Sequence, residues 1–309
     1  MDSESELKKI HQPNEKDLKP KNHTSVNKGL IEMLLATLIW GSIPIFSIWI
    51  NLPSPIFVFF RVLFALPFIF IYSAKMLGLK EILTIRPFLP LLLSGIALSL
   101  NWIFFFWAIQ LTDIATAVVL YYLGPVFTII LAVLFLGEPL NKTLIFSTII
   151  AFIGAFFTLT PSLKFGGSTF GVTIAFLSGI LYGLLGFFSK IATLKHNALK
   201  TTTYQIFISL FFTIPFIFFF KFELSINVLL LLIITGIVHT ALALFLWYDS
   251  LNYIKVSTSA IFSYLDPFFA IILGFIFLSQ KPSIMEIMGG LLISISGIMV
   301  SVKEKKTMS

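Results

Sequence analysis

Tyr122-Leu123-Gly124-Pro125-Val126-Phe127-Thr128-Ile129-Ile130-Leu131-Ala132-Val133-Leu134-Phe135-Leu136 returns 142 residues later as Tyr264-Leu265-Asp266-Pro267-Phe268-Phe269-Ala270-Ile271-Ile272-Leu273-Gly274-Phe275-Ile276-Phe277-Leu278, with nine identities in fifteen ungapped positions. Chance matching of Phe-, Leu- and Ile-rich segments explains only part of that agreement. At the same offset Trp40-Gly41 falls on Tyr182-Gly183, and Phe46-Ser47 on Phe188-Ser189. The chain therefore reads as an internal duplication of a hydrophobic unit with about five membrane crossings. An odd number of crossings leaves the chain on the far side of the bilayer, so the second copy must insert upside down. That is the plan of many secondary transporters.

Composition sets the same class. The 309 residues are 58% hydrophobic and 11% charged, with 36 Phe, and the mean hydropathy is +1.00. A water-soluble domain of this length has too little interior to hide that surface. Cysteine is absent, which excludes disulfides, iron–sulfur clusters and thiolate metal sites. Residues 1–29 are polar, mix Lys with Asp and Glu, and lack the apolar core and small-residue cleavage site of a signal peptide. They are expected to form a disordered cytoplasmic tail ahead of two repeats at 30–160 and 170–302.

A helix needs about 20 apolar residues to cross about 30 Å of hydrocarbon. The hydropathy pattern and the turn signals Asn51-Leu52-Pro53, Gly137-Glu138-Pro139 and Gln280-Lys281-Pro282 predict ten helices. They lie at 30–50, 54–74, 88–108, 114–136, 142–160, 170–192, 200–221, 226–249, 256–278 and 284–302. The fold class is thus all-α, a polytopic membrane protein. Ten crossings put both termini on one side. With the N-terminus cytoplasmic, only Lys164, Lys221 and Lys281 fall in outer loops and Arg61 within a span, leaving 17 of the 21 Lys and Arg inside. Both termini are accordingly expected in the cytoplasm, and the +7 charge reads as an orientation signal that gives no ground for nucleic-acid binding.

Pro125 and Pro267 occupy matched depths in spans four and nine. Neither can donate to the carbonyl four residues back, so each helix is expected to bend, as a hinge or as a simple kink. Leu120-Tyr121-Tyr122-Leu123-Gly124-Pro125, the following Leu136-Gly137-Glu138-Pro139-Leu140, and the second copy's Tyr264-Leu265-Asp266-Pro267-Phe268-Phe269-Ala270 resemble the signature of EamA-type carriers of the drug/metabolite transporter superfamily. Trp40-Gly41 and Phe60-Arg61 resemble that family too. The resemblance covers residues 30 to about 302. It implies two inverted five-helix repeats around a central cavity and transport of small metabolites, often outward, at the plasma membrane. Two departures stand out: the acidic residue often preceding the span-four proline is Gly124, and the second-copy counterpart of Glu138 is Gln280.

Polar side chains at mid-membrane depth cost free energy unless they face protein or water, so they are the candidate site. Ser259, Ser263 and Asp266 share one helical face. Asp266 is expected either to hold a substrate amine or to take up a driving proton; the alternative is that it caps the helix half beginning at Pro267. His239 either titrates or is a neutral interior histidine. Arg61 pairs with a substrate carboxylate, with a protein carboxylate, or snorkels to the surface. Asn101, Trp102, Tyr122, Tyr182 and Tyr264 suit a cavity that grips an amphipathic molecule. Trp49, Trp107 and Trp247 near span ends, with Glu32 and Glu138, read as interfacial. Gly179 and Gly183 read as helix-packing residues.

No ligand set supports a metal, no cofactor is implied, and a Walker loop is absent. With Arg61 the only base firmly inside a span, phosphorylated cargo is disfavoured. The expected function is a secondary transporter, not an enzyme. Its substrate would be a small neutral, zwitterionic or weakly cationic metabolite, with protons as a candidate coupling ion. A non-transporting sensor or assembly partner, or an importer of a different metabolite, are the rival readings.

Overall fold

The computed structural model describes residues 23–112, 114–160 and 168–306. Among these residues, ten helices are long and apolar enough to cross a membrane: α1 (Thr24–Ile50), α2 (Ser54–Leu77), α3 (Phe88–Leu111), α4 (Thr116–Phe135), α5 (Lys142–Leu159), α6 (Thr169–Lys195), α7 (Ala198–Phe219), α8 (Ile226–Ser250), α9 (Val256–Leu278) and α10 (Ile284–Lys306). Most of the expected tail lies outside the described residues. Its last seven residues do not stay irregular, because the first helix already starts at His23.

Several helix starts are set by local chemistry. Asn141, Ser168, Asn197 and Ser225 each accept a backbone N–H from the first turn of α5, α6, α7 and α8. Ser283 and Glu286 form a reciprocal capping box on α10, with Ser283 N donating to Glu286 Oε2 at 2.7 Å and Glu286 N to Ser283 Oγ at 3.2 Å. α9 is different. Its N-cap, Lys255, makes no side-chain cap, and distant residues fill that role, as described below.

Both proline-bearing helices are interrupted. α4 is interrupted between Tyr121 and Gly124, and α9 between Phe262 and Leu265, each just ahead of its proline. In α9 the Ser263 carbonyl left free by Pro267 accepts from Asp266 N at 3.3 Å. α8 carries a different irregularity, a π-helical stretch over Thr235–Leu242.

The repeats interlock. α1 packs on α8 and α9 of the second repeat, whereas α6 packs on α3 and α4 of the first. The close crossings repeat as well. A Cβ on Gly41 would stand 2.5 Å from Phe269 Cβ, and one on the equivalent Gly183 would stand 2.4 Å from Phe127 Cβ, the counterpart of Phe269. Only glycine admits these approaches, so the duplication seen in the chain is also a duplication of contacts. At the seam between α5 and α10, a Cβ on Gly289 would lie 2.5 Å from the Gly154 carbonyl.

Candidate functional site

A cavity of about 370 Å³ lies between the repeats. Of the residues singled out from sequence, Arg61, Asn101, Trp102, Tyr122, Tyr182, Asp266 and Pro267 line it. The wall also includes Trp40, Tyr121 and Trp247. It reaches Ile43, Phe105, Val118 and Leu159, all in the half of the bundle away from Thr24 and Lys306.

The geometry is built from three packed elements. Arg61 on α2 is 6% exposed; its Nε donates to Thr240 Oγ1 at 3.1 Å and its Nη2 to the His239 carbonyl at 3.2 Å. The same carbonyl accepts from Trp40 Nε1 at 3.1 Å. The π-helical register of α8 thus presents one backbone oxygen to two cavity-wall side chains, in keeping with the tendency of such irregularities to sit at functional sites. The guanidinium also lies 5.4 Å from the Phe57 ring centroid and 5.6 Å from that of Trp102. No carboxylate pairs with Arg61 among the described residues. Its head group is thus turned inward, with no ion pair among the described residues.

Asp266 faces the same cavity, and its Oδ1 is buried without a hydrogen-bond partner. The capping alternative is not what forms: the helix half starts at Leu265, with Tyr264 as N-cap and no side-chain cap bond. Tyr121 stacks on Tyr182 at 4.9 Å and meets Phe105 at 4.4 Å. Asn101 Nδ2 donates to the Ser178 carbonyl at 3.1 Å. Gly179 and Gly183 of α6 do the packing work expected of them, a Cβ on Gly179 standing 2.5 Å from the Leu120 carbonyl.

Other expected site residues lie behind the wall. Ser259 Oγ accepts from Trp247 Nε1 at 2.8 Å and lies 3.2 Å from Met33 Sδ. Ser263 donates to the Ser259 carbonyl at 3.3 Å, and Tyr264 donates to the carbonyl of its repeat mate Tyr122 at 2.9 Å. The break ahead of Pro267 separates these residues from Asp266, which alone of the shared face reaches the cavity. Pro125 is buried and does not line it. His239 packs its ring on Phe46 at 4.5 Å and sets Nε2 2.7 Å from Ser42 Oγ. Ser42 Oγ also donates to the Ile39 carbonyl at 2.7 Å, and His239 Nδ1 is buried without a hydrogen-bond partner.

Three residues read as interfacial prove to be interior. Trp247 is 4% exposed, Glu32 8% and Glu138 6%. Trp247 packs edge-on to Trp40 at 5.6 Å, a pairing across repeats that residue type alone does not signal. Glu32 sits on α1 beside Lys28, which donates to Asp249 Oδ2 at 2.9 Å and so ties α1 to the end of α8. Glu138 reaches across to α9: its Oε1 accepts from Val256 N at 2.8 Å and its Oε2 from Ser257 N at 3.1 Å. Burial pushes its carboxyl above the ordinary value, while the Ser257 hydrogen bond and the Lys190 ammonium pull it back.

The profile of the EamA-like transporter family matches residues 27–160 and again 169–302. The chain belongs to that family. This EamA-like transporter is 33% identical over 270 residues to an uncharacterised transporter of Bacillus subtilis, YxxF, a match covering 84% of this chain and 85% of the relative. It is 25% identical over 253 residues to the S-adenosylmethionine uptake transporter of Rickettsia bellii, covering 81% of this chain and 83% of that one. A solved crystal structure superposes with a TM-score of 0.77 over 94% of this chain and 100% of the other, at 15% identity; that likeness concerns the fold. The protein is an integral, multi-pass membrane transporter of the drug/metabolite type.

Proposed function

We propose that this transporter carries a small zwitterionic, neutral or weakly cationic metabolite, of the amino acid or amphipathic amine type, across the plasma membrane by alternating access, with both termini cytoplasmic. One observation carries the reading. The cavity presents one guanidinium, Arg61, and one carboxyl, Asp266, neither with a charged partner among the described residues, on walls made of Trp40, Trp102, Tyr121, Tyr122 and Tyr182. Buried charge without a partner is costly; a ligand that brings a carboxylate to Arg61 and a cation to Asp266 offsets that cost, and the aromatic walls take its apolar body. A lone cation among the lining residues is a poor match for phosphate cargo.

The sequence resemblance implies transport that is often outward. The uptake named for the Rickettsia relatives favours a second reading, import of a cationic amino-acid derivative such as S-adenosylmethionine. Its amino-acid end, positive sulfonium and flat base suit the same two charges and the same rings.

Exchange by purified protein in liposomes distinguishes these readings, with a panel of labelled amino acids, amines and S-adenosylmethionine measured with and without an imposed pH gradient. Saturable exchange of a panel member is expected, falling about tenfold or more in Asp266→Asn while the protein stays monodisperse. Unchanged transport and unchanged pH response in Asp266→Asn would remove Asp266 from the mechanism. Uphill movement with the gradient assigns protons as the coupling ion.

A further inference from the structure

The two repeats are not in the same state. Val256–Leu265, the first half of α9, is buried throughout, whereas among Thr116–Leu123, the equivalent half of α4, only Ala117 is buried and Val118, Tyr121 and Tyr122 face the cavity. Their partner loops differ in the same sense. The backbone is alike in both, with Glu138 N donating to Ala132 O at 3.2 Å and Gln280 N to Gly274 O, the matched atom, at 3.3 Å. The side chains diverge. Glu138 is buried and spans to the first two N–H groups of α9. Gln280 is exposed and folds back over its own helix, its Oε1 lying 2.9 Å from where a Gly274 Cβ would stand.

The sealed end is reinforced by Glu304 of α10. It accepts from Lys255 N at 3.2 Å and from Thr258 Oγ1 at 2.8 Å. Lys190 of α6 donates to the carbonyls of Leu251 and Ile254 in the loop leading into α9.

We infer that Glu138 is the latch of the gate at the terminus-bearing end, and that the Glu138/Gln280 difference between the repeats sets which side this transporter faces at rest. The inference rests on the carrier reading above. In the opposite state the roles exchange: Gln280 swings to the N-terminus of α4, Glu138 is released, and the first half of α9 lines the cavity, bringing Ser259 and Ser263 into it. A carboxylate on a helix N-terminus interacts with the partial positive charge there, and a neutral amide does so only weakly. The side closed by Glu138 is therefore the side held closed at rest.

The chain has no cysteine, so Val118→Cys and Ala260→Cys, at matched positions of the repeats, report each half of the cavity without further engineering. The probe is a membrane-impermeant maleimide applied to cells and to inside-out vesicles. With the native latch, Cys at 118 labels from outside and Cys at 260 is protected. Glu138→Gln is expected to raise the rate at 260 from the cytoplasmic side about tenfold and to lower the rate at 118. Gln280→Glu, an exposed change that removes no native contact of Glu138, is expected to move both rates in the same directions. Both reporters becoming reactive together in Glu138→Gln, or Gln280→Glu leaving both rates at the wild-type values, overturns the inference. Labelling needs no substrate, so a failure of flux in liposomes counts against the carrier reading and leaves this result to stand by itself.

Discussion

His196 is a residue whose burial has a pH signature. It lies between α6 and α7, outside the membrane-spanning segments, with Nε2 donating to the Pro87 carbonyl at 2.7 Å. Burial lowers its pKa below the ordinary 6.5, a shift opposed by the Pro87 hydrogen bond. The neutral ring is thus the form the fold accommodates. Its contribution is fully present above about pH 6.5 and declines as pH falls, because the unfolded chain takes up a proton before the folded one does. Thermal unfolding in detergent is expected to show a lower midpoint at about pH 5.5 than at about pH 7.5, with the difference reduced in His196→Gln. At this scale the sequence reveals chemistry and hides company. Asp266 and Arg61 stand out because charges inside apolar spans are rare, and both line the cavity. Tyr121 and Trp247 also line it, yet nothing in residue type separates a wall tryptophan from an interfacial one when both sit near a helix end. Glu138 hides for the same reason, since the N–H groups it meets belong to a helix 118 residues away.

Helices are the level at which the chain is most legible. The apolar stretches locate all ten spans, and the two prolines locate the breaks in α4 and α9, because a missing N–H is a property of one residue. The π-helical turn of α8 leaves no such mark: its stretch, Thr235–Leu242, contains no proline, and its irregular register is seen only against Trp40 and Arg61, which bond its His239 carbonyl. Close crossings belong to this scale too. At the α5–α10 seam a methyl group at Gly289 would come within 2.5 Å of the Gly154 carbonyl and 2.8 Å of Thr158 N. Backbone on the other side has little room to give, so Gly289→Ala is expected to force the helices apart and to cost about 1–3 kcal/mol. A lowered melting temperature in detergent, with the same change at Gly297, where an added Cβ would meet nothing within 4 Å outside its own helix backbone, leaving it near wild type, checks the point.

For the molecule as a whole, the excess of Lys and Arg on one set of loops predicts cytoplasmic termini. A reporter that fluoresces only in the cytoplasm is expected to be bright at the C-terminus and dark when the chain is cut after α9; the reverse pattern contradicts the charge argument. The swapped packing of the repeats bears also on how the protein comes to exist. α1 leaves the ribosome first, yet its packing partners α8 and α9 are among the last helices made. Through the synthesis of the six helices between, it has to persist in lipid unaccompanied, which its outward Ile31, Leu34, Leu35 and Leu38 equip it to do. Each half on its own thus lacks the main packing partners of its own first helix.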